Sequence, residues 1–177
     1  MAELELKLFY YFNHNLVNSF FDNLTPLLTF LGEYNFSLSF ALALFLVLRN
    51  GKKEAALVLL AALLVSGFII FILKTAFPRH PPFVAIQNVR QLVEEHDLLH
   101  SFPSGHATCA FVLASVNSSY FGRAYLFYPL AIAIAFVRIY SGAHYPSDVV
   151  TGAVVGIATG YVLVLAVRRI KGYNILP

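Results

Sequence analysis

Charge is what this sequence has least of: Asp, Glu, Lys and Arg make up 12% of its 177 residues, against about 25% in an ordinary soluble domain. Hydrophobic residues reach 59%, so there is too little polar surface to coat a water-soluble globule. The same figure excludes intrinsic disorder, which needs low hydrophobicity. Cysteine is nearly absent. Cys109 stands alone and cannot pair within the chain, which excludes a disulfide scaffold. The net charge of +3 comes without a basic stripe or an aromatic-basic module, so no nucleic-acid partner is expected. No cleaved signal peptide is expected either: Glu3 and Glu5 oppose a positive n-region, and no small-residue cleavage site stands out. What remains is the composition of a polytopic membrane protein.

A bilayer core of about 30 Å takes about 20 mostly apolar residues as helix, because lipid offers no partner to a bare amide. Five stretches meet or approach that length: 34–48 (short), 55–77, 104–121, 124–139 and 148–167. Residues 1–31 read differently. Asn13, His14, Asn15, Asn18, Asp22 and Asn23 interrupt them, which suggests an interfacial helix followed by a first span. The expected fold is an all-α bundle of six transmembrane helices, one membrane-embedded domain over residues 1–177.

Cation placement orients the chain. Arg49, Lys52 and Lys53, then Arg123, then Arg168, Arg169 and Lys171 fall on one side by parity, and six spans add Lys7. That side is cytoplasmic by the positive-inside rule. Lys74, Arg79, Arg90 and Arg138 lie on the opposite face, with Glu94, Glu95 and Asp97 in the long outer loop 83–101. That loop reads either as a lid or as a solvated connector, and the connector is the simpler reading. The expected setting is a bacterial inner membrane, with the outer face toward the periplasm or exterior.

Three polar clusters share that outer face: Lys74–Pro82 (KTAFPRHPP), Ser101–Thr108 (SFPSGHAT) and Arg138–Asp148 (RIYSGAHYPSD). Helix ends meeting at one depth can assemble a pocket, and ionisable groups in a membrane segment are functional candidates. His144 and Asp148 are four apart, with Pro146 placed for a first helical turn. Asp148 can then accept the Nδ1 proton of His144 and leave Nε2 as a lone pair, the orienting half of a nucleophile or base. Ser104 is a helix cap, and Gly105 lets an anion approach the exposed amides at a helix start. His106 sits where it can protonate a leaving oxygen. Lys74, Arg79 and Arg138 supply positive charge for a dianion. Such a set suits phosphoryl transfer better than peptide hydrolysis.

Each piece alone has an ordinary reading: Lys74, Arg79 and Arg138 as interfacial anchors, Ser104 as a cap, His144 and Asp148 as an ion pair. Their coincidence on one face of a chain so poor in charge argues for a site. His80, His96, His100 and His106 match no tight metal-ligand spacing, so no metal is expected. Gly152, Gly156 and Gly160 form a small-residue stripe suited to packing inside the bundle. Cys109 reads as a small buried residue.

At these residues the chain resembles the type 2 phosphatidic acid phosphatase family of membrane lipid phosphatases. The family signature is a lysine followed by an arginine-proline element, then Pro-Ser-Gly-His, then Arg-x5-His-x3-Asp. Its second and third parts stand intact as Pro103–His106 and Arg138, His144 and Asp148. The resemblance implies a six-helix membrane fold without cofactor or metal, acting on a lipid phosphate that enters from the bilayer, with no obligate protein partner. It implies His144 as the nucleophile forming a phosphohistidine, Asp148 as its orienting carboxylate and His106 as the general acid. Lys74, Arg79, Arg138 and the Ser104–Gly105 amides would hold the phosphoryl oxygens. The first part departs from the pattern: the family arginine seven places after the lysine is Pro81 here, so either Arg79 or His80 replaces it or the site runs with one cation fewer. The implied substrates are undecaprenyl pyrophosphate, phosphatidylglycerophosphate, phosphatidic acid or the 1-phosphate of lipid A. The alternatives are a lipid phosphotransferase and a proton-coupled transporter relaying through His106, His144 and Asp148.

Overall fold

The apolar runs become helices close to their expected limits. A computed structural model describes residues 3–49, 52–95 and 97–172. It contains α1 (Glu3–Tyr10, continuing into a π-helical turn Tyr11–Asn15), α2 (Ser19–Gly32), α3 (Tyr34–Val47), α4 (Lys53–Ala76), α5 (Pro82–Ala85), α6 (Gly105–Phe121), α7 (Ala124–Tyr140) and α8 (Pro146–Ile170). Both α4 and α8 are long and apolar enough to cross a membrane, whereas α2 and α3 reach that length only as a pair bent by 61°. The bend falls at Glu33, whose extended backbone ends one helix and starts the next.

Helix α6 is the hub, packed against α8, α7 and α4. Its closest seam is with α8, where the glycine stripe faces it. A Cβ on Gly152 would lie 2.5 Å from the Ser104 carbonyl oxygen, one on Gly156 would lie 2.5 Å from that of Thr108, and one on Gly160 would strike Ser115 Oγ. The stripe therefore serves packing within the bundle, as expected.

Polar contacts fix the two ends. At one end Glu54 accepts from the Tyr120 hydroxyl at 2.9 Å and pairs with Lys171, and Arg168 donates to the Ser119 carbonyl at 2.6 Å. The start of α4 and the ends of α6 and α8 meet there. The end of α3 joins them, since Lys53 lies 4.9 Å from the Phe45 ring centre. At the other end Glu5 of α1 pairs with Arg79, Asn13 donates to the Tyr140 carbonyl at 2.8 Å, and Asp22 accepts from the Tyr140 hydroxyl at 2.5 Å.

The all-α membrane fold is as expected; among the described residues α4, α8 and the bent α2–α3 pair are the spans that length and apolarity support, and the contacts place α1. Helix α2 starts beside the end of α7, and α3 finishes at the opposite end. Lys7 lies on α1, whose Glu5 pairs with Arg79, and so stands with the three polar clusters rather than with Arg49 and Lys52. The physical reason is that α1 and the polar residues before α2 bond to the outer ends of other helices, which parity counting does not see.

Candidate active site

All three polar clusters sit at helix termini, and the termini meet. Lys74 is in the last turn of α4. Arg79 follows in an extended segment whose carbonyl accepts from the Ser101 amide at 2.7 Å. Ser104 caps α6, its hydroxyl accepting from the Ala107 amide at 3.4 Å. Its own amide donates to the Asp148 carbonyl at 3.0 Å, which ties the second cluster to the third through the backbone. Arg138 ends α7, and its carbonyl accepts the amides of Ala143 and His144 at 3.1 Å each, folding the 141–145 loop back on the helix end. Pro146 opens α8 as expected, with Asp148 in the first turn.

His144 is buried, and its Nδ1 lies 3.6 Å from Asp148 Oδ2, a charge-pair separation with no hydrogen bond formed to that nitrogen among the described residues. Burial holds the His144 pKa below the ordinary histidine value; Asp148 opposes this and the charge of Arg138 adds to it. Burial thus favours the uncharged imidazole. His106, in the first turn of α6, lies within electrostatic reach of Arg138, His144 and Lys74. Gly32 closes on its ring: a Cβ there would stand 3.2 Å from His106 Cδ2.

The cations are engaged, and not all alike. The Arg138 guanidinium is fully buried, donates to Thr29 Oγ1 at 3.2 Å and pairs with Glu95. Lys74 bonds Asp97 Oδ2 at 3.0 Å and the His100 carbonyl at 2.5 Å. Burial alone would push the Asp97 carboxyl up, but Lys74 holds it below the usual carboxylate range. So loop 83–101 is more than the solvated connector that was the simpler reading: its carboxylates sit on two of the cations. Asn13 pins the same loop, donating to the Arg90 carbonyl at 2.9 Å and accepting from the Arg90 amide at 2.9 Å.

Arg79 is turned elsewhere. It donates to Asp148 Oδ1 at 2.6 Å, Ser147 Oγ at 2.7 Å and Glu5 Oε2 at 2.7 Å, with its guanidinium carbon 4.0 Å from the Tyr145 ring centre. The Ser104 amide is likewise committed to Asp148, whereas Gly105 faces open space. His80 shares a hydrogen bond with the Leu98 carbonyl at 3.0 Å, in the loop. Among the described residues no three His, Cys, Asp or Glu side chains converge as a metal site; His96 lies outside them.

A cavity of about 690 Å³ opens beside this cluster, beneath the loop, where the α2–α3 bend stands off from α4 and α6. Gly105, His106, Glu33, Tyr34, Glu95 and Phe68 are among the residues lining it. Sequence reasoning missed Glu5, Thr29, Glu95 and Ser147 as parts of this arrangement. The one available signal was acidic residues in otherwise apolar surroundings, and it does not say which cation each one meets.

Comparison with known proteins shows the family and the fold. The sequence profile described as the PAP2 superfamily matches residues 55–171. The chain is 29% identical over 159 residues to the bacitracin transport permease protein BcrC of Bacillus licheniformis, covering 88% of this chain and 77% of that protein. It is 29% identical over 177 residues to a lipid A 4'-phosphatase of Porphyromonas gingivalis, covering 91% and 72% respectively. Among solved structures, that of Aquifex aeolicus LpxE superimposes with a TM-score of 0.82 at 29% identity, over 92% of this chain and 96% of that one.

Proposed function

The chain belongs to the PAP2 superfamily, and on that premise we propose that it is an integral-membrane lipid phosphatase that removes a terminal phosphate from a lipid phosphate or pyrophosphate. The observation that carries this reading is the meeting of Lys74, Arg138, His106 and His144, from three distant stretches of sequence, at one end of the bundle. Two of these cations already hold oxyanions, the carboxylates of Asp97 and Glu95. A phosphoryl group, of the same charge sign and likewise an acceptor of charged hydrogen bonds, replaces them.

In the reaction, His144 Nε2 attacks phosphorus, the P–N bond forms, and the P–O bond to the lipid breaks. His106 gives a proton to the departing oxygen. Water then attacks the phosphohistidine, releasing inorganic phosphate and free His144. Asp148 balances the positive charge that develops on the imidazole. Lys74, Arg138 and the Gly105 amide stabilise the equatorial oxygens of the transition state. The cavity between α3, α4 and α6 supplies the path by which a lipid headgroup reaches His106 from the bilayer. The site faces the extracytoplasmic side of a bacterial inner membrane, a sidedness supported by the cations gathered at the opposite end. The ionisable groups stand at helix ends rather than at mid-membrane depth, which is not the arrangement of a proton relay.

The test is phosphate release by the purified protein from undecaprenyl pyrophosphate, phosphatidylglycerophosphate, phosphatidic acid and lipid A 1-phosphate. Release without any added acceptor lipid, its loss in His144→Ala, insensitivity to chelator and inhibition by vanadate are the expected results. Full turnover by His144→Ala would remove the mechanism.

A further inference from the structure

We propose that Arg79 is a positioning residue, which holds Asp148 in place behind His144 and takes no part in holding the phosphoryl group. This rests on the phosphatase reading above and departs from the expectation that Arg79 binds phosphate.

The argument begins with Asp148, which is fully buried. Its Oδ2 accepts the Tyr145 amide at 2.9 Å, and its Oδ1 accepts Arg79 at 2.6 Å. With both oxygens fixed, the plane of the carboxylate is set, and with it the 3.6 Å approach to His144 Nδ1. Remove Arg79 and a buried carboxylate keeps one neutral amide and an imidazole as its partners, so it is free to turn.

Arg79 is itself built in. Glu5 holds one nitrogen at 2.7 Å, Ser147 Oγ shares the nitrogen that meets Asp148, and the Tyr145 ring covers one face. Glu5 also bonds the hydroxyl and the amide of Ser147. Glu5, Arg79, Asp148 and Ser147 thus close a ring over the first turn of α8, with α1 as its outer side. A guanidinium fork fits this ring; an ammonium satisfies fewer of its acceptors at once. Both terminal nitrogens of Arg79 are thus committed to Glu5, Ser147 and Asp148.

The charged and titratable groups facing His144 are Arg138 from α7, Asp148 from α8, Glu95 from the loop and His106 from α6. Without Arg79 the negative charge of Asp148 acts on His144 uncompensated, so His144 holds its proton to higher pH.

The experiment measures kcat, KM, the vanadate inhibition constant and the pH profile of the purified full chain acting on phosphatidic acid in detergent micelles. Arg79→Gln, Arg79→Lys and Glu5→Gln are compared with Lys74→Gln. Positioning predicts that Arg79→Gln lowers kcat by about 10- to 100-fold, while KM and the vanadate constant stay within about threefold of wild type. The acid limb of kcat moves to higher pH, Arg79→Lys recovers part of kcat, and Glu5→Gln repeats the pattern at smaller size. Lys74→Gln instead raises KM and the vanadate constant. Should Arg79→Gln fail to fold, the Arg79→Lys and Glu5→Gln pair reads the same split. A rise in KM and vanadate constant with kcat retained makes Arg79 a phosphate ligand and overturns the proposal, as do unchanged constants in all three variants. Wild-type protein that releases no phosphate from any of the lipids overturns the phosphatase reading itself, and the role of Arg79 with it.

Discussion

Gly142 stands two residues before His144 with φ at +83°, and a Cβ there would lie 2.6 Å from Val89 Cγ1 and 2.9 Å from the Arg90 carbonyl oxygen. A side chain at left-handed φ costs roughly 1–2 kcal/mol before any collision is counted. Relief comes only by lifting loop 83–101 or by moving the His144 loop. Gly142→Ala is therefore expected to lower both Tm and kcat, read by thermal unfolding in detergent and by phosphate release; wild-type values for both would show the approach to be looser than described. The same residues show what a sequence makes legible. His144, Asp148 and Ser104 were readable because their roles depend on local spacing: four residues along a helix, or one residue before its start. Glu5, Asn13 and Glu95 were not, since their partners lie 142, 77 and 43 residues away, and charge sign alone does not choose among four outer cations. Arg79 shows the limit most clearly. Its place beside Lys74 in sequence suggested a shared task, but its guanidinium reaches Asp148, 69 residues away.

Among elements, the α6–α8 seam holds the proposed site together, because it carries His106 on one helix and Asp148 on the other. The backbone link from the Ser104 amide to the Asp148 carbonyl and the bond from Thr108 Oγ1 to the Gly152 carbonyl at 3.1 Å form only at close approach. Gly156 sits one turn below, where a Cβ would already be 2.5 Å from the Thr108 carbonyl oxygen. Gly156→Leu forces the helices apart at that level. The expected result is loss of most phosphate release with helical content retained, followed by activity assay and far-ultraviolet circular dichroism on the same preparation. Undiminished activity would mean the seam is not what sets the site. The long elements were legible from sequence to within a few residues: 55–77 was expected where α4 is Lys53–Ala76, and 124–139 where α7 is Ala124–Tyr140. Length of apolar run is a direct physical requirement of the bilayer. Residues 4–31 resisted because a polar interruption marks where a helix stops but not which way the chain then turns.

For the whole molecule, sidedness follows from which ends touch. Seven of the twelve Lys and Arg residues (Arg49, Lys52, Lys53, Arg123, Arg168, Arg169 and Lys171) belong to the end away from the polar clusters, and by the positive-inside rule the proposed sidedness puts that end in the cytoplasm. Lys7 does not join them. Its neighbour Glu5 is paired with Arg79, so α1 lies at the end of the bundle that carries the polar clusters, and we propose that Lys7 and Lys52 are on opposite sides of the membrane. Six full crossings, the count expected from sequence, would place Lys7 and Lys52 together. The two topologies are separable by thiol labelling in a Cys109→Ala background, which removes the one native cysteine. In intact cells a membrane-impermeant maleimide is expected to label Lys7→Cys directly and Lys52→Cys only after permeabilisation, both positions being solvent-exposed. Protection of Lys7→Cys until permeabilisation would return α1 to the cytoplasmic side. It would also undo the ring around Arg79, because a helix on the far side of the bilayer cannot bring Glu5 to Asp148.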